Sequence, residues 1–217
     1  MFQFDIITLF PELVKPYFSE SIMKIAIEKK LIQVNFWNPR DYTKDKHKNV
    51  DDTPYGGGAG MILATQPMYD CIMAAKQQNK GKVVFMTPSG KKFSQSKSEA
   101  FVKNSKGGLI LVCGRYEGMD QRVIDLCVDE ELSIGEFVLS GGELPALVVI
   151  EAVTRLLPGV LGNQESHEND SFSKKFKRRK KYPVYTKPEI FMGLAVPDVL
   201  KSGHHKKIEE WRNQNLR

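Results

Sequence analysis

The stretch that most constrains this chain runs from Leu109 to Pro145, LILVCGRYEGMDQRVIDLCVDEELSIGEFVLSGGELP. An unbroken apolar run, Leu109 to Cys113, gives way at once to Gly114-Arg115-Tyr116-Glu117-Gly118. Two further small-residue turns follow at Ser133-Ile134-Gly135 and Ser140-Gly141-Gly142. A short apolar run, a glycine turn and then a helical period are the pattern of a buried strand that ends at a ligand crevice. Glycine at a strand end lets backbone N–H and C=O groups approach a ligand more closely than a Cβ permits. One such turn alone is more often just a tight turn. Three close together point to one pocket walled mostly by main chain.

The residues before this stretch alternate between strand and helix patterns. Phe2, Phe4, Ile6 and Leu9 mark a first strand that stops by Pro11, and Ser19 to Lys30 reads as a helix with Ile22, Ile25 and Ala26 on one side. Leu31 to Trp37 returns to a strand that Asn38-Pro39 ends. Asp41 to Gly60 is polar, then glycine-dense, and its length marks it as a functional or mobile loop. A helix is expected after Thr65 as N-cap, with Pro67 in its first turn and Met68, Cys71, Ile72 and Ala75 as its buried stripe. Lys82 to Thr87 is the next strand, closed by Pro88-Ser89-Gly90; Ser96 and Glu99 then have capping-box spacing for a helix bearing Phe101 and Val102. Leu144 to Leu157 is the last helix of the series, stopped by Pro158-Gly159. Such alternation predicts an α/β fold with a mainly parallel sheet over the first 160 residues. Gly162 to Ser173 has linker composition. Beyond it, Pro188 to Leu200 and His204 to Leu216 are helical candidates in a tail too small for a large core of its own.

Composition narrows the function classes. Lys and Arg total 32 against 26 Asp and Glu, a net charge of +6, and the excess is local. No acidic residue lies between Asp170 and Glu189, an interval that holds Lys174, Lys175, Lys177, Arg178, Arg179, Lys180, Lys181 and Lys187. A charge run is usually a solvated face, but a localised excess also fits an anionic partner. Cys71, Cys113 and Cys127 have no C-x-x-C spacing and sit in apolar patterns, as buried thiols in a reducing compartment do. The N-terminal MFQFDIITLF carries Asp5 and no basic leader, unlike a signal peptide, and no apolar stretch is long enough to span a membrane. The expected location is therefore cytoplasmic, with no membrane partner. The pattern G-x-x-x-x-G-K-[ST] is absent, as is a G-x-G-x-x-G between strand and helix, which argues against P-loop enzymes and Rossmann-type methyltransferases or dehydrogenases. Gly56 to Gly60 follows a polar loop rather than a strand and is a weak phosphate signal.

Ordered blocks across nearly the whole chain resemble the bacterial tRNA (guanine-N1)-methyltransferase family, a branch of the SPOUT methyltransferases. They are ITLFPE, NPRDYTKDKHKNVDDTPYGGGAGM, GRYEGMDQR, SIGEFVLSGGELPA, RLLPGVLG, DSF, PVYTKP and VPDVLKSGHHKKIEEWR. The resemblance implies methylation of N1 of the guanosine immediately 3′ of the anticodon, with S-adenosylmethionine as donor and the tRNA anticodon stem-loop as partner. DNA is not expected as a partner. It implies a SPOUT-type α/β fold whose sheet carries a C-terminal trefoil knot, although true knots are rare among folds. The implied division is a cofactor-binding domain over 1–160, a linker over 161–175 and a small α-helical tRNA-binding domain over 176–217.

Carried over residue by residue, the resemblance places the cofactor between three walls. Phe85, Met86, Thr87 and Pro88 form one, Gly114, Tyr116 and Glu117 the second, and Ser133, Ile134, Gly135, Phe137, Leu139, Gly141 and Gly142 the third. It assigns the general base to Asp170 and the stabilisation of charge on O6 to Arg155. On pattern alone, Asp170 reads as a loop residue or N-cap and Arg155 as an exposed residue near a helix C-terminus. A homodimer is implied, with cofactor pocket and base contributed by different subunits. Magnesium is implied by the family only; the residues themselves show no metal constellation. The chain departs from the family in three places. Phe137 stands where tyrosine is common, KKFKRRKK replaces a milder segment, and the chain stops soon after Trp211-Arg212. Two rival readings are a knotted methyltransferase with another RNA target and a non-catalytic RNA-binding protein.

Overall fold

The computed structural model describes residues 1–162 and 167–217, which divide into two compact units, 1–162 and 163–217. The first is built on a five-stranded sheet of β1 (Phe2–Ile7), β2 (Ile32–Trp37), β5 (Lys82–Lys92), β6 (Gly108–Cys113) and β7 (Glu130–Ser133), in the order β2-β1-β6-β5-β7. Every pairing in it is parallel. A separate antiparallel pair, β3 (Asp51–Asp52) with β4 (Ile62–Leu63), closes the long glycine-dense loop on itself.

Helices α1 (Ser21–Glu28), α2 (Thr65–Gln78), α3 (Gln95–Asn104), α4 (Gln121–Cys127) and α5 (Glu143–Thr154) connect the strands. Side chains alternate across the pleat, so each strand feeds two cores. Phe4, Ile6, Leu109 and Leu111 pack with Met23 and Ala26 of α1, Phe101 of α3 and Val149 and Val153 of α5. Ile7, Val83, Ile110 and Val112 pack on the other face with Met68, Cys71, Ile72 and Ala75 of α2 and Val123 of α4. All of β6 is buried, which is why its sequence is an unbroken apolar run rather than an alternating one. On β1, beside the edge strand β2, the buried Asp5 carboxylate accepts from Trp37 Nε1 at 2.6 Å, Asn35 Nδ2 at 3.0 Å, Asn79 Nδ2 at 2.6 Å and Gln3 Nε2 at 2.9 Å.

Local details differ from the sequence reading. Helix α1 buries Met23 and Ala26 and leaves Ile25 exposed. Ala64, not Thr65, occupies the N-cap of α2, and α3 is capped by Ser94, whose hydroxyl accepts from Lys97 N at 3.3 Å, rather than by Ser96. Strand β5 does not stop at Pro88. Its ladder to β7 breaks after Met86 and resumes at Lys91, so Thr87-Pro88-Ser89-Gly90 is an excursion within one strand.

In the second unit, the described residues include a 3-10 turn (His167–Asn169), a hairpin of β8 (Ile190–Phe191) and β9 (Leu194–Ala195), and helices α6 (Asp198–Lys201) and α7 (His205–Gln214). The hairpin stands where Pro188 to Leu200 was expected to be helical. Met192 and Gly193 both have positive φ, +47° and +80°, which suits a two-residue hairpin turn and breaks a helix. Trp211 of α7 packs against the rings of Tyr182 and Tyr185 at 6.4 and 6.3 Å. Part of the expected linker, residues 163–166, lies outside the described residues.

Candidate functional site

The ends of β6, β5 and β7 lie side by side, and parallel order points all three carboxyl ends in one direction, where α/β sheets bind ligands. The β5 excursion rises there, with Thr87 Oγ1 and Ser89 Oγ 2.9 Å apart. After β6 the chain turns through Tyr116 and Gly118, at φ +56° and +115°, and Gly118 N closes the turn on Arg115 O at 3.0 Å. After β7, Ser133 Oγ accepts from Gly135 N and donates to Gly135 O, at 3.2 and 2.9 Å. The chain then returns to the turn after β6: Gly141 forms an antiparallel bridge with Arg115, and Gly142 N donates to Gly114 O at 2.8 Å.

These segments enclose one cavity of about 370 Å³, within the roughly 300–1,000 Å³ range of small-molecule sites. Each residue expected at the cofactor lines it. Phe85, Met86, Thr87 and Pro88 come from β5, and Gly114, Tyr116 and Glu117 from the turn after β6. Ser133, Ile134, Gly135, Phe137, Leu139, Gly141 and Gly142 come from β7 and the returning segment.

The glycines also serve the packing of the walls themselves. A Cβ on Gly142 would stand 2.8 Å from Cys113 Cα and 2.9 Å from Gly114 N, and one on Gly114 would stand 3.1 Å from the Phe85 ring. A Cβ on Gly141 would collide with Arg115 and Glu143. The atoms they make room for are the protein's own, so these glycines let the cavity walls come together.

Sequence reasoning passed over the polar group behind this wall. Glu143, the first residue of α5, is 3% exposed. Its Oε1 accepts from Thr8 Oγ1 at 2.7 Å and from Arg115 Nε at 3.1 Å. Its Oε2 stands 3.1 Å from Arg115 Nη2, an ion-pair contact without hydrogen-bond alignment. Arg115 Nη1 donates to Ser140 O at 3.2 Å, and the guanidinium lies 4.6 Å from the centre of the Phe10 ring. Arg115 and Glu143 were visible inside GRYEG and GGELP, but no local spacing signals a pair 28 residues apart. Nearby, burial pushes the Cys113 thiol well up, the Glu143 charge adds to this and Arg115 opposes it, so the thiol stays protonated and unreactive.

Of the two residues expected to act on the substrate, Arg155 belongs to the first unit and Asp170 to the second. Arg155 is the half-buried C-cap of α5, its N–H bonded to Glu151 O at 3.0 Å, and is outside the cavity lining. Asp170 belongs to the second unit, half-buried, its carbonyl accepting from Ser173 N at 3.2 Å. The basic run of that unit forms a compact loop: Phe172 N donates to Arg179 O, Arg178 N to Ser173 O and Lys181 N to Ser171 Oγ, at 2.8, 3.0 and 3.0 Å. Phe176 is buried within it, edge-on to Tyr182, while Lys174, Lys175, Lys177 and Lys180 face solvent. Among the described residues no cluster of three or more His, Cys, Asp or Glu side chains is placed to hold a metal, and no helix is long and apolar enough to cross a membrane.

A parallel α/β sheet whose adjoining strand ends close over one cavity, with no G-x-G-x-x-G turn, defines a ligand-binding α/β protein outside the Rossmann type. The family model for tRNA (Guanine-1)-methyltransferase TrmD matches residues 2–217, and the chain belongs to that family. It is 50% identical over 215 residues to a tRNA (guanine-N(1)-)-methyltransferase of Clostridioides difficile strain 630, covering 98% of this chain and 91% of the relative. Proteins of the same name from Clostridium botulinum strain Hall and Pasteurella multocida strain Pm70 are 48% and 49% identical. These matches cover 96% and 95% of this chain and 84% and 83% of the relatives.

Proposed function

We propose that this protein methylates N1 of the guanosine immediately 3′ of the anticodon in tRNA, with S-adenosylmethionine as methyl donor. The observation that carries the reading is the single cavity beneath the three glycine-bearing turns, in a chain of the tRNA (guanine-1)-methyltransferase family. The residues fit the donor. Main-chain groups of the turns after β6 and β7 suit the adenine edge, and Met86, Ile134 and Leu139 offer it apolar faces. Phe137 contributes a ring without the hydroxyl of the family's usual tyrosine. When bound, S-adenosylmethionine supplies an electrophilic methyl group on its sulfonium sulfur.

The protein's own task is to make guanine N1 nucleophilic. That nitrogen carries a weakly acidic proton at neutral pH, so a base within hydrogen-bond reach must take it. Asp170 accepts this proton, and Arg155 holds the negative charge that grows on O6. The active form is a homodimer in which Asp170 of one subunit serves the cavity of the other. Exposed apolar side chains support the dimer: Phe10, Leu13 and Tyr17 on one segment and Leu144 and Val148 on α5, the two joined by the hydrogen bond from Tyr17 to Glu151. The chain follows the knotted path that the family resemblance implies. The compact basic loop binds tRNA phosphates, and the protein works in the cytoplasm.

The test is product analysis on tRNA transcripts carrying G or A immediately 3′ of the anticodon. Methyl transfer to N1 of the G transcript only is the expected result. Equal methylation of both, or a product on ribose, would refute the reading.

A further inference from the structure

We propose that Glu143 is a positioning residue for the cavity. Acting through Arg115, its buried carboxylate holds the turn after β6 and the segment returning after β7 at the separation that admits the methyl donor. The proposal rests on the reading of this cavity as the S-adenosylmethionine site.

One carboxylate gathers three segments remote in sequence. Thr8, just beyond β1, donates to it through Oγ1 at 2.7 Å, and the same Oγ1 accepts from Phe10 N at 3.0 Å. Arg115, from the turn after β6, meets it through Nε and Nη2, both at 3.1 Å. Arg115 Nη1 reaches on to Ser140 O at 3.2 Å, so the segment leading into α5 is held by the same guanidinium. Arg115, Ser140 and Gly141 are all cavity wall, and a movement of Arg115 is therefore a movement of the wall. The fit leaves no slack, because even a methyl group on Gly141 would meet both Arg115 and Glu143.

The location suits a charged acceptor. Glu143 opens α5, where the positive end of the helix dipole favours a carboxylate. Its cation is already beside it, so the pair costs less to bury than either charge alone. Replacing the carboxylate by an amide keeps one acceptor for Thr8 and Arg115 Nε but removes the charge and sets an NH2 donor against Arg115 Nη2 in a site shielded from water. Arg115 is then free to adopt other rotamers, and the two walls lose their common anchor.

The test is calorimetric titration of S-adenosylmethionine into the full chain, with thermal melts to verify folding and steady-state kinetics on a tRNA transcript. The proteins are wild type, Glu143→Gln, Arg115→Gln, the double variant and Thr8→Val. Glu143→Gln is expected to weaken donor binding by about tenfold or more, with the donor KM rising in step and kcat at saturation within about twofold of wild type. The double variant should bind no more weakly than Arg115→Gln, because the two residues act as one unit. Thr8→Val, which leaves the ion pair intact, should weaken binding by about two- to fivefold. Affinity unchanged in Glu143→Gln, additive losses in the double variant, or loss of kcat at unchanged KM would each overturn the proposal. Should Glu143→Gln fail to fold, wild-type affinity in Thr8→Val overturns it instead. If the wild-type protein does not bind S-adenosylmethionine, the cofactor reading itself fails, an outcome distinct from all of these.

Discussion

At the scale of single residues, close approach decides more than propensity. Gly142 is not in a left-handed conformation; it is small because backbone from the turn after β6 lies within 3 Å of where its Cβ would be. Gly142→Ala should therefore destabilise the protein by about 1–3 kcal/mol, read from denaturant melts. An unchanged midpoint would mean that the two segments can part without cost. A second residue-scale effect is electrostatic. Burial alone would raise the Glu130 carboxyl, but hydrogen bonds and charges from Lys82 and Lys97 outweigh it and hold the group below its ordinary value. A carboxyl lowered by folding adds stability that is fully present above its unfolded pKa, about 4.3. That contribution is lost as pH falls through the lower folded value. Glu130→Gln should thus be less stable than wild type at pH 7, with the gap narrowing as the pH falls below that of free glutamate. Parallel stability curves down to pH 3 would contradict this.

At the scale of elements, β6 and β1 carry the first unit. Ile110 and Leu111 point to opposite faces and are both fully buried, so Leu to Ala or Ile to Ala at either position opens a cavity in a different core. Each should cost about 2–5 kcal/mol in chemical denaturation, and the pair should be close to additive. Asp5 of β1 is the polar counterpart, since its carboxylate joins donors from β2 and from Asn79, beyond the end of α2. Asp5→Ala should lower stability by about 1–3 kcal/mol for each donor left without an acceptor. The differences in capping belong at this scale too. Ser94 and Ser96 offer the same hydroxyl two residues apart, and which of them caps α3 depends on where β5 releases the chain. That release point is set by pairing with β7, which no local pattern encodes.

At the scale of the whole molecule, the proposed self-association and RNA binding rest on surfaces rather than on cores. The exposed side chains of Phe10, Leu13, Leu144 and Val148 should bury themselves in a dimer, so light scattering at micromolar concentration is expected to give twice the chain mass. Mixing Asp170→Ala chains with Gly141→Ala chains should restore activity in the heterodimer. A sound heterodimer without activity would show that base and cavity do not come from different subunits. Neutralising Lys177 and Lys180 should reduce the dependence of tRNA affinity on salt by about 0.9 in log–log slope for each duplex phosphate that is no longer neutralised. An unchanged slope would remove the basic loop from the RNA interface.

Sequence by itself determined the α/β order, the parallel sheet and the residues around the cavity. Those depend on local period, on glycine turns and on blocks shared with a family, all of which are written along the chain. The helical reading of Pro188 to Leu200 held only from Asp198, in α6, and failed before it, where a two-residue left-handed turn makes a hairpin. Tertiary structure alone decided what the glycines make room for, why β5 resumes after Gly90, and that Glu143 and Arg115 meet. These depend on which strands become neighbours. A parallel sheet brings together strand ends separated by a helix or more of sequence, and the groups that meet there carry no mark of it in their own local surroundings.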